Sequence, residues 1–316
     1  MRIEKAVESQ LREEQAGFRK GRSCTEQIFV LQNIIEQCIE WQSTIYLNFI
    51  DFQKAFDSIH RETMWKILRL YGIPEKIIRI IQALYNDFTC SVLHNGNLTP
   101  WFAVQSGVKQ GCMLSPLLFL TVLDWIMKET TKDNRTGIRW TLTTQLEDLD
   151  FADDICLTSS TRTHLRSKTL KLCSTAKKVG MKIGIKKTKL MTIGESPNPT
   201  IKIDGQEIET VDKFTYLGSI VDVNGGTDAD VKSRINKARH AFAILKPIWK
   251  SRKITLRTKI RLFNTNVKSV LLYGSECWKI TSEITRKIQV FIHKCLRIIL
   301  KIKWSDKVSN AEIRRR

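Results

Sequence analysis

Ile45-Tyr46-Leu47-Asn48-Phe49-Ile50-Asp51-Phe52-Gln53-Lys54-Ala55-Phe56-Asp57 is the stretch that decides the fold. Its first six residues are β-branched, aromatic or aliphatic except for Asn48, the pattern of a strand buried on both faces. The run ends on Asp51, and a carboxylate there costs free energy unless it is paired, hydrogen-bonded or bound to a metal ion. Upstream, the spacing of Ile28, Leu31, Ile34, Ile35, Cys38 and Ile39 predicts a helix over residues 26–41. Downstream, helices are expected at 61–70 and 75–85, parted by the breaker Gly72-Ile73-Pro74. Short strands follow at 90–93 and 101–105, and a long helix is expected from Pro116, which suits a first helical turn, to about Lys128.

Residues 146–158 are apolar on both sides of Asp153-Asp154, which predicts a hairpin with the acidic pair at its tip. A helix is expected at 165–179, a strand at 189–193, and a hairpin over 201–208 around the turn Asp204-Gly205. A single strand is expected at 214–220, before Asn224-Gly225-Gly226 breaks the chain. Three basic amphipathic helices are expected after it, at 228–245, 256–272 and 284–300. The coarse expectation is a mixed helix-and-sheet domain to about residue 222 and an all-helical basic domain beyond it.

Charge sharpens this division. The chain has 316 residues with a formal charge of +20, but residues 1–160 hold 17 basic and 20 acidic side chains, against 35 and 12 in residues 161–316. A basic half beside a near-neutral one points to a polyanion partner, since each neutralised phosphate releases a condensed counterion. The longest apolar stretch, residues 113–127, is interrupted by Ser115, Pro116 and Asp124 and is too short to span a bilayer, so no membrane partner is expected. The N-terminus has no hydrophobic signal core, and eight scattered cysteines lack any CxxC pair. An intracellular protein of nucleus and cytoplasm, with no disulfide-linked partner, is expected.

Asp51 at a strand end and Asp153-Asp154 between two apolar strands are the parts of a two-metal site for phosphoryl transfer. Alone, such an acidic pair is usually a solvated turn, and a strand-terminal Asp by itself says little more. The surrounding words carry more. Gln15-Ala16-Gly17-Phe18-Arg19-Lys20-Gly21-Arg22-Ser23, Phe49-Ile50-Asp51-Phe52-Gln53-Lys54-Ala55-Phe56-Asp57, Gly107-Val108-Lys109-Gln110-Gly111-Cys112-Met113-Leu114-Ser115-Pro116 and Phe151-Ala152-Asp153-Asp154 resemble the ordered motifs of reverse transcriptases. So do Gly180-Met181-Lys182-Ile183 with Lys186-Lys187-Thr188-Lys189, and Phe214-Thr215-Tyr216-Leu217-Gly218. Leu272-Tyr273-Gly274-Ser275-Glu276-Cys277-Trp278 is similar to a stretch that follows the polymerase core. The wording is nearest to non-LTR (LINE-like, RTE-type) retrotransposons.

The resemblance implies an α+β fold: a right-hand polymerase palm, an antiparallel sheet packed on helices, at residues 44–222, with partial fingers at 1–43 and an all-helical basic thumb at 223–316. It implies an RNA-directed DNA polymerase that adds dNTPs to a primer 3′-hydroxyl with two Mg²⁺ ions, Mn²⁺ being a possible substitute. Its partners would be an RNA template, a DNA primer or nicked target DNA, and dNTPs. Asp51, Asp153, Asp154 and the Phe52 carbonyl would hold the metals, and Lys187 would assist near the pyrophosphate. Phe56 would exclude a 2′-hydroxyl, and Gln110 and Gly111 would meet the incoming dNTP. Tyr216, Leu217 and Gly218 would grip the primer. Arg19, Arg22, Lys232, Arg234, Lys237, Arg239, Arg257, Lys259 and Arg261, with Lys268, would contact nucleic acid. Only fourteen residues precede Gln15. Basic finger strands that the family carries upstream are therefore expected to be missing, as from an N-terminally truncated enzyme. The competing expectation is a catalytically impaired fragment or domesticated relic that binds nucleic acid.

Overall fold

The computed structural model describes residues 2–132, 136–195, 197 and 200–315. They form two compact units, residues 1–217 and 218–316.

The first unit is built on a five-stranded sheet whose centre is the strand Ile45–Ile50, all six residues buried. Asp154–Ser159 pairs antiparallel on one side of it, with Phe49 opposite Cys156, and Lys189–Ile193 pairs antiparallel on the other, with Phe49 opposite Lys189. Asp148–Phe151 extends the sheet beyond Asp154–Ser159, and Glu209–Thr210 adds a parallel edge beyond Lys189–Ile193. Because side chains alternate, Tyr46, Asn48 and Ile50 face one way and Leu47 and Phe49 the other. Asn48, the one polar side chain of the run, donates its amide to the Thr169 hydroxyl at 2.8 Å on the helix Arg162–Lys178, while its Oδ1 is buried without a partner. Phe49 stacks on Phe214 at 4.3 Å on the opposite face.

The helices Arg61–Leu70, Ser115–Thr131 and Arg162–Lys178 pack into a continuous core with Tyr46, Ile50, Ile155 and Leu157. Pro116 sits in the first turn of its helix, as its missing N–H favours. Cys24–Glu40 begins with a capping box in which Ser23 and Glu26 satisfy each other's backbone N–H groups. The helices expected at 61–70 and 75–85 are present with those bounds, as is the acidic hairpin. A further helix, Arg2–Glu8, precedes them.

Three expectations need correction. The strands anticipated at 90–93 and 101–105 are instead two short pairs, Thr89–Cys90 with Phe102–Ala103 and Leu93–His94 with Asn97–Leu98. The ladder breaks where the Thr99 hydroxyl takes the Val92 N–H, and the pair closes on Asn95-Gly96, both left-handed. The single strand expected at 214–220 is divided into Lys213–Tyr216 and Ser219–Asp222 by Leu217 (φ 47°) and Gly218 (φ 82°), a left-handed pair that turns the chain. The helix expected at 256–272 is α-helical over Leu256–Leu262 and widens to a π-helix over Phe263–Lys268.

The second unit is helical apart from Ser219–Asp222. Asp228–Ile244, the segments within 256–271 and Ser282–Leu300 close on Val231, Trp249, Phe263, Val267, Trp278, Phe291 and Ile299. Asp230 is buried there and fully used, accepting from the Ser219 hydroxyl, the Ile220 N–H and the Trp278 indole at 2.9–3.0 Å. Among the described residues no helix is long and apolar enough to cross a membrane.

Candidate active site

The central strand delivers Asp51 to its C-terminal end, and the neighbouring hairpin delivers Asp153 and Asp154 beside it. Asp51 is tied by its backbone: its N–H donates to the Thr188 hydroxyl at 3.2 Å, and its carbonyl accepts from Gly184 N–H at 2.7 Å. Gln53 N–H donates to the Lys182 carbonyl, so Phe52 faces Ile183 across a single bridge and its own carbonyl is left out of that pairing. At Gly184 a β-carbon would stand 2.8 Å from Asp51 Oδ1, so glycine keeps the space in front of this carboxylate open.

Ala152 precedes the acidic pair in a left-handed conformation, φ 53°, which turns the hairpin and sets Asp153 at its tip. Loss of solvent raises the Asp153 carboxyl above its ordinary value, with the Asp51 charge adding to it. Asp154 is pushed up to about 6, first by desolvation and then by the charges of Asp153 and Asp51. A site whose Asp153 and Asp154 are both held up by loss of solvent and by neighbouring carboxylate charge is a donor set short of positive charge. Lys187 supplies part of it, with its Nζ 3.4 Å from Asp51 Oδ2. Among the described residues no three His, Cys, Asp or Glu side chains converge closely enough to enclose an ion. Oxygen-only donors, mutual repulsion and the space held by Gly184 nonetheless fit a hard divalent cation.

Phe56 lies one turn beyond Asp51, its ring stacked on Phe119 at 4.3 Å and edge-on to Phe18 at 6.5 Å. Val108 N–H donates to the Phe56 carbonyl, and Gly107 packs so closely that a β-carbon would lie 2.6 Å from Asp57 Cα. The close approach that Gly107 permits is thus to this chain's own backbone, and it brings Gln110 beside Asp57, whose Oδ1 accepts from Gln110 Nε2 at 3.0 Å. Gly111 is left-handed, φ 80°, with open space where a side chain would be. Tyr216 is buried, its hydroxyl donating to the Leu149 carbonyl at 2.9 Å, and Leu217 and Gly218 form the turn beyond it.

The basic residues divide by direction. Lys232, Lys237, Arg239, Arg257, Arg261 and Lys268 are exposed. Arg234 and Lys259, expected at a phosphate-facing surface, are instead interior: Arg234 donates to the Gly218 carbonyl and lies over the Tyr273 ring, and Lys259 donates to the Trp249 and Ser251 carbonyls. Both are under 7% exposed. Arg19 is likewise turned inward, donating to the Arg12 and Gln15 carbonyls and pairing with Glu8, and Arg22 pairs with Glu13. Sequence reading gave no role to Gly184, Thr188 or Asp57. Gly184 had a legible signal, a glycine between the motif blocks 180–183 and 186–189, where the backbone can approach a neighbour closely.

The reverse transcriptase (RNA-dependent DNA polymerase) family matches residues 1–221, and a family described as a domain of unknown function matches residues 241–273. The chain is 26% identical over 95% of its length to the retrovirus-related Pol polyprotein from type-1 retrotransposable element R2 of Popillia japonica, of which it covers 43%. It is 25% identical over 92% of its length to the probable RNA-directed DNA polymerase from transposon BS of Drosophila melanogaster, covering 32% of that protein. The chain spans less than half the length of these relatives. In fold it is similar to telomerase from Candida tropicalis, solved with a TWJ fragment of telomeric RNA, at a TM-score of 0.54 and 12% identity over 98% of this chain and 55% of that one. The sheet, the acidic hairpin and the helices packed on them are those of a right-hand polymerase, as expected. With the family matching more than two thirds of its residues, the chain belongs to the reverse transcriptase (RNA-dependent DNA polymerase) family, whose chemistry requires a divalent metal cation.

Proposed function

We propose that this chain is the polymerase core of a non-LTR retrotransposon enzyme, extending a DNA primer or the 3′ end of nicked target DNA on an RNA template with dNTPs. One observation supports the reading above the others. Asp51, Asp153 and Asp154 are electrostatically coupled at one end of the sheet, with Lys187 against Asp51.

In this reading Asp51, Asp153, Asp154 and the Phe52 carbonyl hold two Mg²⁺ ions, for which Mn²⁺ can substitute. When bound, the ions favour ionisation of the primer hydroxyl and offset the charge of the triphosphate. In this reading Lys187 donates a proton to the departing pyrophosphate. The Phe56 ring, fixed by its stack on Phe119, blocks the volume a 2′-hydroxyl would need. Gln110 and Gly111 border the nucleotide, with Asp57 orienting the Gln110 amide. The turn at Tyr216, Leu217 and Gly218 aligns the primer end. The helical unit serves as thumb, its exposed Lys232, Lys237, Arg239, Arg257 and Arg261 meeting phosphates.

Extension of a DNA primer on an RNA template with Mg²⁺ and dNTPs tests this, with Asp153→Ala/Asp154→Ala as the control. Extension lost in that variant supports the reading. Template–primer binding without extension by either protein would leave a nucleic-acid-binding relic.

A further inference from the structure

Gln15 is fully buried within a short irregular segment. Its carboxamide is spent on the acidic hairpin. Oε1 accepts from Ala152 N–H at 2.9 Å and from Gly17 N–H at 2.7 Å, and Nε2 donates to the Ala152 carbonyl at 3.3 Å. One side chain therefore holds both the N–H and the carbonyl of Ala152, the residue that adopts φ 53° immediately before Asp153.

The segment around it is built for that contact. Its backbone runs parallel to the hairpin, with Ala16 N–H donating to the Asp150 carbonyl at 2.9 Å and Asp150 N–H to the Glu14 carbonyl at 3.3 Å. Gly17 lies directly on Ala152, and a β-carbon there would overlap the Ala152 amide nitrogen. Arg19 closes the segment from outside by donating to the Arg12 and Gln15 carbonyls. Arg12 anchors its other end through Asp148 and Asp150.

A left-handed non-glycine residue is strained and persists only where its surroundings over-determine it. Here the hydrogen bonds that over-determine it come from Gln15. We propose that Gln15 is a positioning residue for the metal-binding carboxylates: it locks Ala152 in the left-handed conformation and so aims Asp153 and Asp154 at the cation. The proposal rests on the reading of those carboxylates as metal ligands.

The test uses the full chain and Mn²⁺ alone, with binding followed by loss of the free-Mn²⁺ electron paramagnetic resonance signal. Gln15→Met keeps the side chain's length and removes all three hydrogen bonds, and is expected to weaken Mn²⁺ binding about tenfold. Ala152→Gly removes the conformational penalty, because glycine takes positive φ freely, so Gln15→Met/Ala152→Gly is expected to bind within about threefold of Ala152→Gly alone. A merely structural role would not be rescued in this way. Gln15→Met binding Mn²⁺ as tightly as the unaltered protein would overturn the proposal, and so would a tenfold loss that persists in the double variant. If Gln15→Met alone does not fold, the comparison within the Ala152→Gly background decides. Unaltered protein that binds Mn²⁺ through Asp153 but extends no primer would sink the polymerase reading and leave this proposal standing. Unaltered protein that binds no Mn²⁺ would end both.

Discussion

Lys187 Nζ stands 3.4 Å from Asp51 Oδ2, so the carboxylate that ends the central strand has a cation of its own before any metal arrives. The lysine is three-quarters exposed, and such a pair is worth under about 1 kcal/mol. A divalent ion would displace it. Lys187→Ala is therefore expected to act in two directions, lowering the half-saturating Mg²⁺ concentration a few-fold while cutting turnover about a hundredfold through loss of the proton donor. Steady-state extension across a Mg²⁺ series checks both, and an unchanged turnover would remove Lys187 from the chemistry.

Phe56 is held between Phe119 and Phe18 rather than free to swing. On the proposed reading, Phe56→Ala opens the volume beside the nucleotide sugar. The preference for dNTP over rNTP is expected to fall about tenfold or more, with dNTP turnover reduced less. Single-nucleotide extension with matched dATP and ATP measures the ratio.

The basic residues of the helical unit should separate into two classes. Neutralising Lys237 or Arg257, both exposed, is expected to reduce the slope of log K against log salt for template–primer binding by about one each, leaving thermal stability unchanged. Arg234→Met and Lys259→Met, both buried on backbone carbonyls, are expected to cost about 1–3 kcal/mol of stability instead. Fluorescence anisotropy and denaturant titration on the same four variants would distinguish them.

Arg12 pairs with Asp148 and Asp150 and donates its backbone N–H to Asp124, all three carboxylates being fully buried. Burial and the neighbouring Asp148 push Asp150 well above the ordinary carboxylate range despite the guanidinium. Arg12→Met strands those charges and is expected to cost about 3–5 kcal/mol, much of it recovered by adding Asp150→Asn. Urea titration of the single and double variants tests this.

His293 lies largely buried on the helix Ser282–Leu300, and burial, then the Arg314 charge, lowers its pKa. The unfolded chain thus binds the proton more readily. Its contribution to stability is present above the ordinary histidine value and is lost as pH falls through it. The unfolding midpoint should drop between pH 7.5 and pH 5, and His293→Leu should narrow that drop. An equal drop in both proteins would refute the assignment.

Much of the catalytic end was legible because its signals are local. A buried strand ending in Asp51 and an acidic pair between apolar runs both announce themselves within a dozen residues. The turn at Leu217-Gly218 was hidden because leucine seldom takes positive φ, so only the glycine hinted at it. The inward direction of Arg19, Arg234 and Lys259 was hidden for another reason. Charge counts record how many cations a segment carries and say nothing of which carbonyls lie beneath them. Gln15 shows the same blindness: its partner Ala152 is 137 residues away in sequence, where no periodicity reaches.

The strand order of the sheet also sets a timetable. Ile45–Ile50 is made before the strands that flank it, which come from 154–159 and 189–193. On the ribosome, this apolar segment must wait for more than a hundred further residues before either edge can be covered. Asp51 therefore meets its acidic partners only late in synthesis, and until then the nascent chain exposes a sticky strand that a chaperone would have reason to shield.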